Sequence, residues 1–268
     1  MKKILSTITC LLLVFLLTSC GGSDGAPKEK VFIKEDQISD LYSSPEDFKG
    51  KYVELTGRVF TNPETKDDMV ALQMWQDPEH SENNTIVIAS KELVGDIESD
   101  DYIKLTGYVE DEFVGENMMG QEITAPQIVA EKLEKSTYKD IMSPTKKTID
   151  VNKTFESNGV NVTLSKVELA DNETRVYLSI DNQSNYTYSF YSFNSKIIQN
   201  KKQYTEESNF EAGYDEIESD IASGVKEDGI ICFKAIENSN FEFICEGQSE
   251  NYELDGDSFT FEVNVKEN

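Results

Sequence analysis

Basic residues are scarce, and that scarcity is the first constraint. Lysine and arginine together number 25 against 51 aspartates and glutamates, a formal net charge of −26, and Arg58 and Arg175 are the only arginines. Such a chain is repelled by nucleic-acid phosphates and by anionic lipid headgroups, so no nucleic-acid partner is expected. Histidine is scarcer still: His80 stands alone, within Asp77-Pro78-Glu79-His80-Ser81-Glu82. A serine triad needs a base held between an acid and a nucleophile, and this polar stretch offers no nucleophile elbow. Neither Cys232 nor Cys245 has a partner at zinc-finger spacing, and no glycine-rich phosphate loop precedes a helix. These absences point away from an enzyme. A long hydrophobic run is also missing. The N-terminal apolar stretch from Ile4 to Leu17 falls short of the ~20 residues that span a bilayer.

What that stretch does carry is order. Lys2 and Lys3 precede it, and Leu17-Thr18-Ser19-Cys20-Gly21-Gly22 follows. Charge, apolar run and small residues in this sequence mark a signal-peptidase site. The four residues ending at Cys20 resemble the bacterial lipoprotein cleavage box. The resemblance implies a signal peptide over 1–20 and a mature N-terminus at Cys20 bearing diacylglycerol and acyl chains such as palmitate. Each buried CH₂ contributes about 0.8 kcal/mol, so two or three chains hold a protein without a spanning helix. Gly21 to Gly25 begins a flexible tether over 21–35. Cleavage takes away two lysines and no acids, which makes the mature charge about −28.

Beyond the tether the chain divides into two β-rich halves. In the first, over 36–137, Ser39 to Phe48 reads as a helical lead-in with Ser44-Pro45 as a helix start. Strands are expected at Lys51–Phe60, Met69–Trp75, Thr85–Ala89, Tyr102–Val109 and Ile123–Leu133, with a short helix over Lys91–Ile97. Lys51-Tyr52-Val53-Glu54-Leu55-Thr56-Gly57-Arg58-Val59 is echoed by Asp101-Tyr102-Ile103-Lys104-Leu105-Thr106-Gly107-Tyr108-Val109. One such pair is too few for a solenoid; it suggests two strands bending sharply at a glycine. The order of three strands, helix and two strands resembles an OB-fold, a five-stranded barrel. Residues 138–150, with Pro144 and little pattern, read as a linker.

The second half, 151–268, holds six or seven strands: Val160–Leu169 and Arg175–Ile180 as a hairpin, then Tyr186–Ile198, Gly229–Ile236, Phe241–Cys245 and Ser258–Val265. Asn161-Val162-Thr163-Leu164, Tyr177-Leu178-Ser179-Ile180-Asp181-Asn182, Ser219-Asp220-Ile221, Gly224-Val225 and Gly229-Ile230-Ile231-Cys232-Phe233 resemble a bacterial extracellular domain of unknown function, similar to immunoprotective extracellular antigens. That resemblance implies secretion and an immunoglobulin-like β-sandwich, and it brings no catalytic residues.

Three constellations remain. Residues 206–228 hold nine acids and one lysine. Calcium takes about six to eight oxygens, and Asp215, Glu216, Glu218 and Asp220 are the candidate ligands; a solvated acidic loop is the plainer reading. Cys232 and Cys245 would face each other if Ile236 paired with Phe241 across a hairpin, and an inter-sheet bridge is open to them if their strands lie in different sheets. A bond between them and two buried free thiols both stay open. Tyr52, Trp75, Tyr102 and Tyr108 in the first half, and Tyr186, Tyr188 and Tyr191 in the second, are either core residues or an exposed binding surface. The expected protein is mainly β and membrane-tethered on the extracellular face. It is a non-enzymatic module binding a protein or envelope ligand. A divalent-cation-dependent adhesion or sensing protein is the alternative, and an enzyme acting on envelope polymers a third reading.

Overall fold

The computed structural model describes residues 26, 27, 29–116 and 122–265, so Cys20 and its cleavage box lie outside the described residues. The fold is mainly β, and the chain divides into two compact units between Thr137 and Tyr138. Among the described residues no helix is long and apolar enough to cross a membrane.

The first unit opens with α1 (Ile38–Ser43) and a 3-10 turn at Pro45–Phe48, which together bury Leu41 and Phe48. Ser44 and Pro45 do mark a start, but of that short turn; the helical lead-in is broken in two there. The strands follow as β1 (Tyr52–Val59), β2 (Glu64–Lys66), β3 (Met69–Asp77) and β4 (Glu82–Ser90). After α2 (Lys91–Val94) come β5 (Tyr102–Glu116) and β6 (Glu122–Ser136). The Ser90 hydroxyl caps α2 by accepting from the Leu93 amide, and Gly95 at φ 56 ends it, three residues short of the sequence reading. Pairing runs β1-β5-β6-β4-β3, and β3 pairs again with β1, so five strands close on themselves. All contacts in that ring are antiparallel except β4 with β6. Alternation along the strands turns Val53, Leu55, Leu72, Met74, Ile103 and Leu105 into one core.

The internal echo has a physical reason. Its two copies are each other's antiparallel partners, with Tyr52 opposite Tyr108 and Leu55 opposite Leu105. A Cβ on Gly57 would stand 2.2 Å from the Trp75 carbonyl oxygen, and one on Gly107 would stand 2.3 Å from that of Val129. Each glycine lets a neighbouring backbone pass close, Gly57 where β1 also takes up β3 and Gly107 at the register shift between β5 and β6.

The second unit begins without a free linker. Residues 138–150, expected to be one, form α3 (Tyr138–Ile141), a buried Ser143 and the start of β7 (Lys147–Ser157) with Ile149 in the core. β7 is an outer strand with a single fully buried side chain, so it carries none of the alternation that marks a strand in sequence. It turns through Asn158 and Gly159, both at positive φ, into β8 (Val160–Leu169) and then β9 (Glu173–Asn182). There follow β10 (Tyr188–Phe190), β11 (Lys196–Gln199), β12 (Lys202–Thr205) and β13 (Asp220–Ile221). The last three are β14 (Lys226–Lys234), β15 (Phe241–Ser249) and β16 (Asp257–Val263).

One sheet is ordered β14-β9-β8-β7 and the other β12-β11-β15-β10-β13, with β16 on β15. One hydrophobic cluster draws Val162, Leu164 and Val176 from the first sheet and Phe190, Phe243 and Phe261 from the second. The single strand expected over Tyr186–Ile198 is two strands, because a 3-10 turn at Ser192–Asn194 interrupts it. The expected hairpin of β14 on β15 does not form either. β14 pairs with β9 and β15 with β10, β11 and β16, so the two cysteines lie in different sheets.

Candidate functional site

In the first unit the side of β3 opposite the core carries Gln73 and Trp75. Trp75 lies between Arg58 of β1 and Asn84 of β4 in the pairing. Just past β1, the Phe60 amide donates to the Gln73 carbonyl at 3.0 Å. That bond lays the Phe60 ring flat on Trp75, with centroids 4.0 Å apart and planes 11° from parallel. Asn84 Nδ2 donates to Gln73 Oε1 at 3.1 Å, and Asn83 Nδ2 donates to Gln76 Oε1 at 2.9 Å. Gln73 is 1% exposed, yet its Nε2, together with Asn84 Oδ1 and Arg58 Nε, has no hydrogen-bond partner. Buried polar atoms left so cost about 1–3 kcal/mol each. These atoms are sealed from solvent, and the half-buried Phe60–Trp75 pair is the part of this face that a ligand can touch.

His80 stands in the adjoining loop. Its Nδ1 lies 2.9 Å from Asp77 Oδ2, and this hydrogen bond, reinforced by the Asp77 charge, raises its pKa above the ordinary 6.5. The ring is 63% exposed and its hydrogen bonds run only to Asp77, an arrangement that fixes a loop.

The second unit contains a buried charge cluster that the sequence reading missed. Arg175 on β9 is completely buried. Its Nε donates to Glu168 Oε2 at 3.2 Å and one terminal nitrogen to Glu173 Oε1. Further bonds reach the Ser143 carbonyl at 2.9 Å and Thr145 Oγ1 at 2.6 Å. Glu168 also accepts from Lys166 Nζ at 2.6 Å and the Tyr177 hydroxyl at 2.9 Å. Glu173 accepts from the Tyr214 hydroxyl at 2.6 Å and Asn209 Nδ2 at 2.9 Å. Burial pushes the Glu168 carboxyl up, but the bonds from Lys166 and Tyr177 and the Lys139 charge outweigh it and hold the group near 2. Glu173 is likewise lowered against its burial by Tyr214, Asn209 and Arg175. One arginine fork thus fastens residues 143–145 to β8 and β9, while Glu173 fastens the loop carrying Asn209 and Tyr214. Its polar groups are satisfied within the protein, which marks it as a structural staple.

The remaining sequence candidates scatter. Asp215, Glu216, Glu218 and Asp220 are exposed around a buried Ile217. The Asp215 carbonyl accepts from the Ile230 amide, and the Asp220 carboxylate accepts from the Ser189 hydroxyl at 2.9 Å. Among the described residues no group of three or more His, Cys, Asp or Glu side chains is placed to hold a metal ion. Cys232 and Cys245 are both free. Cys245 belongs to the core, whereas Ile231 and Phe233 take the core positions of β14 and turn Cys232 to the other side. Burial pushes the Cys232 thiol up to about 12. Of the first unit's aromatics, Tyr52 and Tyr102 are buried. The Tyr52 hydroxyl donates to Glu131 at 2.6 Å, and Lys30 closes over its ring at 4.7 Å.

No protein-family model matches the chain, and no curated protein matches it. Several solved structures align with parts of it. A functionally unknown protein from Listeria monocytogenes EGD-e is 11% identical, with a TM-score of 0.38, over 46% of this chain and 88% of its own. The yjhA protein from Bacillus subtilis is 13% identical, with a TM-score of 0.37, over 43% of this chain and 99% of its own. A conserved domain protein from Bacillus anthracis is 8% identical, with a TM-score of 0.36, over 84% of this chain and 94% of its own.

Proposed function

We propose that this chain is a lipid-anchored binding protein of the bacterial cell envelope, tethered through Cys20 on the extracellular face and working by surface recognition rather than catalysis. In this reading the closed ring of strands is an OB-like barrel, supported by its strand order, its one parallel contact and the helix between β4 and β5. The two-sheet unit is an immunoglobulin-like sandwich, supported by the single core its sheets share. The observation that carries the binding role is the half-buried Phe60–Trp75 stack, bordered by the side-chain amides of Gln76 and Asn83. A flat aromatic surface edged by amides suits a ligand with apolar faces and hydroxyl edges, which is the chemistry of a glycan.

Trp75 is the only tryptophan, so its fluorescence reports on this face alone. Titration with soluble peptidoglycan fragments is expected to change its emission saturably, and Phe60→Ala to weaken the response several-fold, the loss of about 1 kcal/mol of aromatic contact. An unresponsive Trp75 would count against the glycan reading. The anchor has its own test: radiolabelled palmitate should enter the wild type and not Cys20→Ala, and an unlabelled wild type would reject it. A divalent-cation role has less support, because the acids of 215–220 face solvent separately.

A further inference from the structure

Strand β1 is paired along the whole of one edge and only in part along the other. On the β5 side its register runs unbroken from Tyr52 opposite Tyr108 to Arg58 opposite Tyr102. The Val109 amide donates to the Lys51 carbonyl and the Val59 amide to that of Asp101, so the odd-numbered residues of β1 bond to β5. The even-numbered ones turn their amides and carbonyls to the opposite edge. There Tyr52 donates to the Val31 carbonyl at 2.9 Å and accepts from the Ile33 amide at 2.7 Å, and Arg58 pairs with Trp75 of β3. Between these two contacts, among the described residues, no strand pairs with Glu54 or Thr56 on that edge. From Tyr52 to Arg58 the opening is about 20 Å long.

A groove of about 400 Å³ lies at this gap, and Glu35, Ile38, Gln76 and Lys104 line it together with Glu54, Leu55 and Thr56. Leu55 is buried while Glu54 and Thr56 are exposed, and neither proline nor a register shift blunts the edge there. The gap is bounded at both ends by this chain's own backbone. That leaves room for one extended strand and not for the edge of a second barrel. The exposed face also carries a charge pattern. Glu54 stands at the edge, Lys104 stands opposite Thr56, and the salt bridges of this unit's described residues take up neither.

We propose that the β1 edge at Glu54 and Thr56 receives an extended peptide segment of a partner protein as an added antiparallel strand. In such a pair each outward-facing residue exchanges two hydrogen bonds with one residue of its partner, so two peptide residues supply four bonds. The peptide residue facing Leu55 turns inward and is apolar. The residue before it faces Thr56 and is acidic, within reach of Lys104 across the short threonine. The residue after it faces Glu54 and is basic. The order acid, apolar, base is the chemistry this edge selects, and it depends neither on the glycan reading of Trp75 nor on the anchor at Cys20.

The test is amide hydrogen exchange, read residue by residue by NMR on the full chain in detergent micelles, with acetyl-Thr-Val-Glu-Leu-Lys-Val-Thr-amide as the probe. In the free chain the Glu54 and Thr56 amides should exchange fast, and those of Val53, Leu55 and Gly57, bonded to β5, slowly. Saturating peptide should slow Glu54 and Thr56 at least about tenfold and leave the other three unchanged. A peptide N-methylated at its Glu and Lys loses both donors to β1 and should bind at least about tenfold more weakly. N-methylation at its Leu, whose amide points away, should cost less than about threefold. Glu54→Lys should weaken the probe about two- to fivefold and bind the Glu-Leu-Glu version better than the wild type does, a reversal that a damaged fold would not give. Three results would overturn the proposal: free-chain Glu54 and Thr56 amides as slow as Leu55, no slowing at about 1 mM peptide, or equal losses from the two methylation patterns. The peptide variants need no change in the protein, so they decide the matter even if Glu54→Lys fails to fold.

Discussion

Replacing Arg175 by methionine tests whether the buried charge cluster holds the second unit together. The substitution keeps a long side chain in place but removes every guanidinium donor. Glu168 and Glu173, 3% and 6% exposed, are then left as buried anions without their shared cation. Removing one partner of a buried ion pair costs about 3–5 kcal/mol. Glu168 keeps Lys166 and Tyr177, and Glu173 keeps Tyr214 and Asn209, which argues for the lower end, about 3 kcal/mol. For a unit of this size that corresponds to a fall in Tm of roughly 10 °C.

The assay separates the units without cutting them. Trp75 lies in the first unit and is the sole tryptophan, so its fluorescence follows that unit, while far-UV circular dichroism follows both. Arg175→Met should lower one circular-dichroism transition and leave the Trp75 transition in place. Arg175→Lys should fall between, since an ammonium keeps the charge but loses the planar fork. Adding Glu168→Gln and Glu173→Gln to the methionine variant should recover part of the loss, because no buried charge then stands unpaired. A cost below about 1 kcal/mol, typical of exposed ion pairs, would refute the reasoning, as would an equal shift of the Trp75 transition.

The same cluster sets a pH dependence: Glu168 drops from an ordinary 4.5 to near 2, so its contribution is complete above 4.5 and is lost as pH falls toward 2. At about 1.4 kcal/mol per tenfold that contribution is roughly 3 kcal/mol, and acid titration by circular dichroism should show it vanish in Glu168→Gln. Gly57→Ala and Gly107→Ala should each cost about 3 kcal/mol, at the upper end for forced overpacking, because their Cβ atoms would meet carbonyl oxygens at 2.2 and 2.3 Å; chemical denaturation followed at Trp75 measures this. Native protein should resist iodoacetamide at Cys232 and Cys245 near neutral pH and take up two labels there on denaturation, while reductant leaves Tm unchanged; a reductant-sensitive Tm would show a disulfide.

How far the sequence could be read depends on whether a feature is local. β8 was legible to the residue, because Val160, Val162 and Leu164 alternate and Asn158-Gly159 turns into it. The glycine echo was legible as a shared feature of two strands, though only the pairing explains that the two copies face each other. β7 was not legible, since an outer strand with one buried side chain has no pattern to find. The cysteine hairpin failed on parity: Phe241, Phe243 and Cys245 share one face, but Cys232 sits between core residues Ile231 and Phe233. The sequence could not show this, because Ile230 and Cys232 are as apolar as Ile231 and Phe233, and only the packing decides which pair faces the core.

The Arg175 cluster is the least local feature, joining residues 143–145, Glu168, Glu173 and Tyr214 from separate segments. Its one trace in the sequence is residue choice. In a chain that otherwise uses lysine for every base, the two arginines both meet carboxylates, Arg58 at Asp100 and Arg175 at Glu168 and Glu173. A planar fork is what a buried, multiply bonded cation requires, and lysine cannot provide it. This also accounts for the acidic loop. Asn209 and Tyr214 hang it on Glu173, and Ile217 is buried beneath it, so its own carboxylates are left facing water. An acid-rich loop anchored by neutral side chains holds its shape through those bonds and through buried Ile217, with its carboxylates spread in solvent where water screens their mutual repulsion.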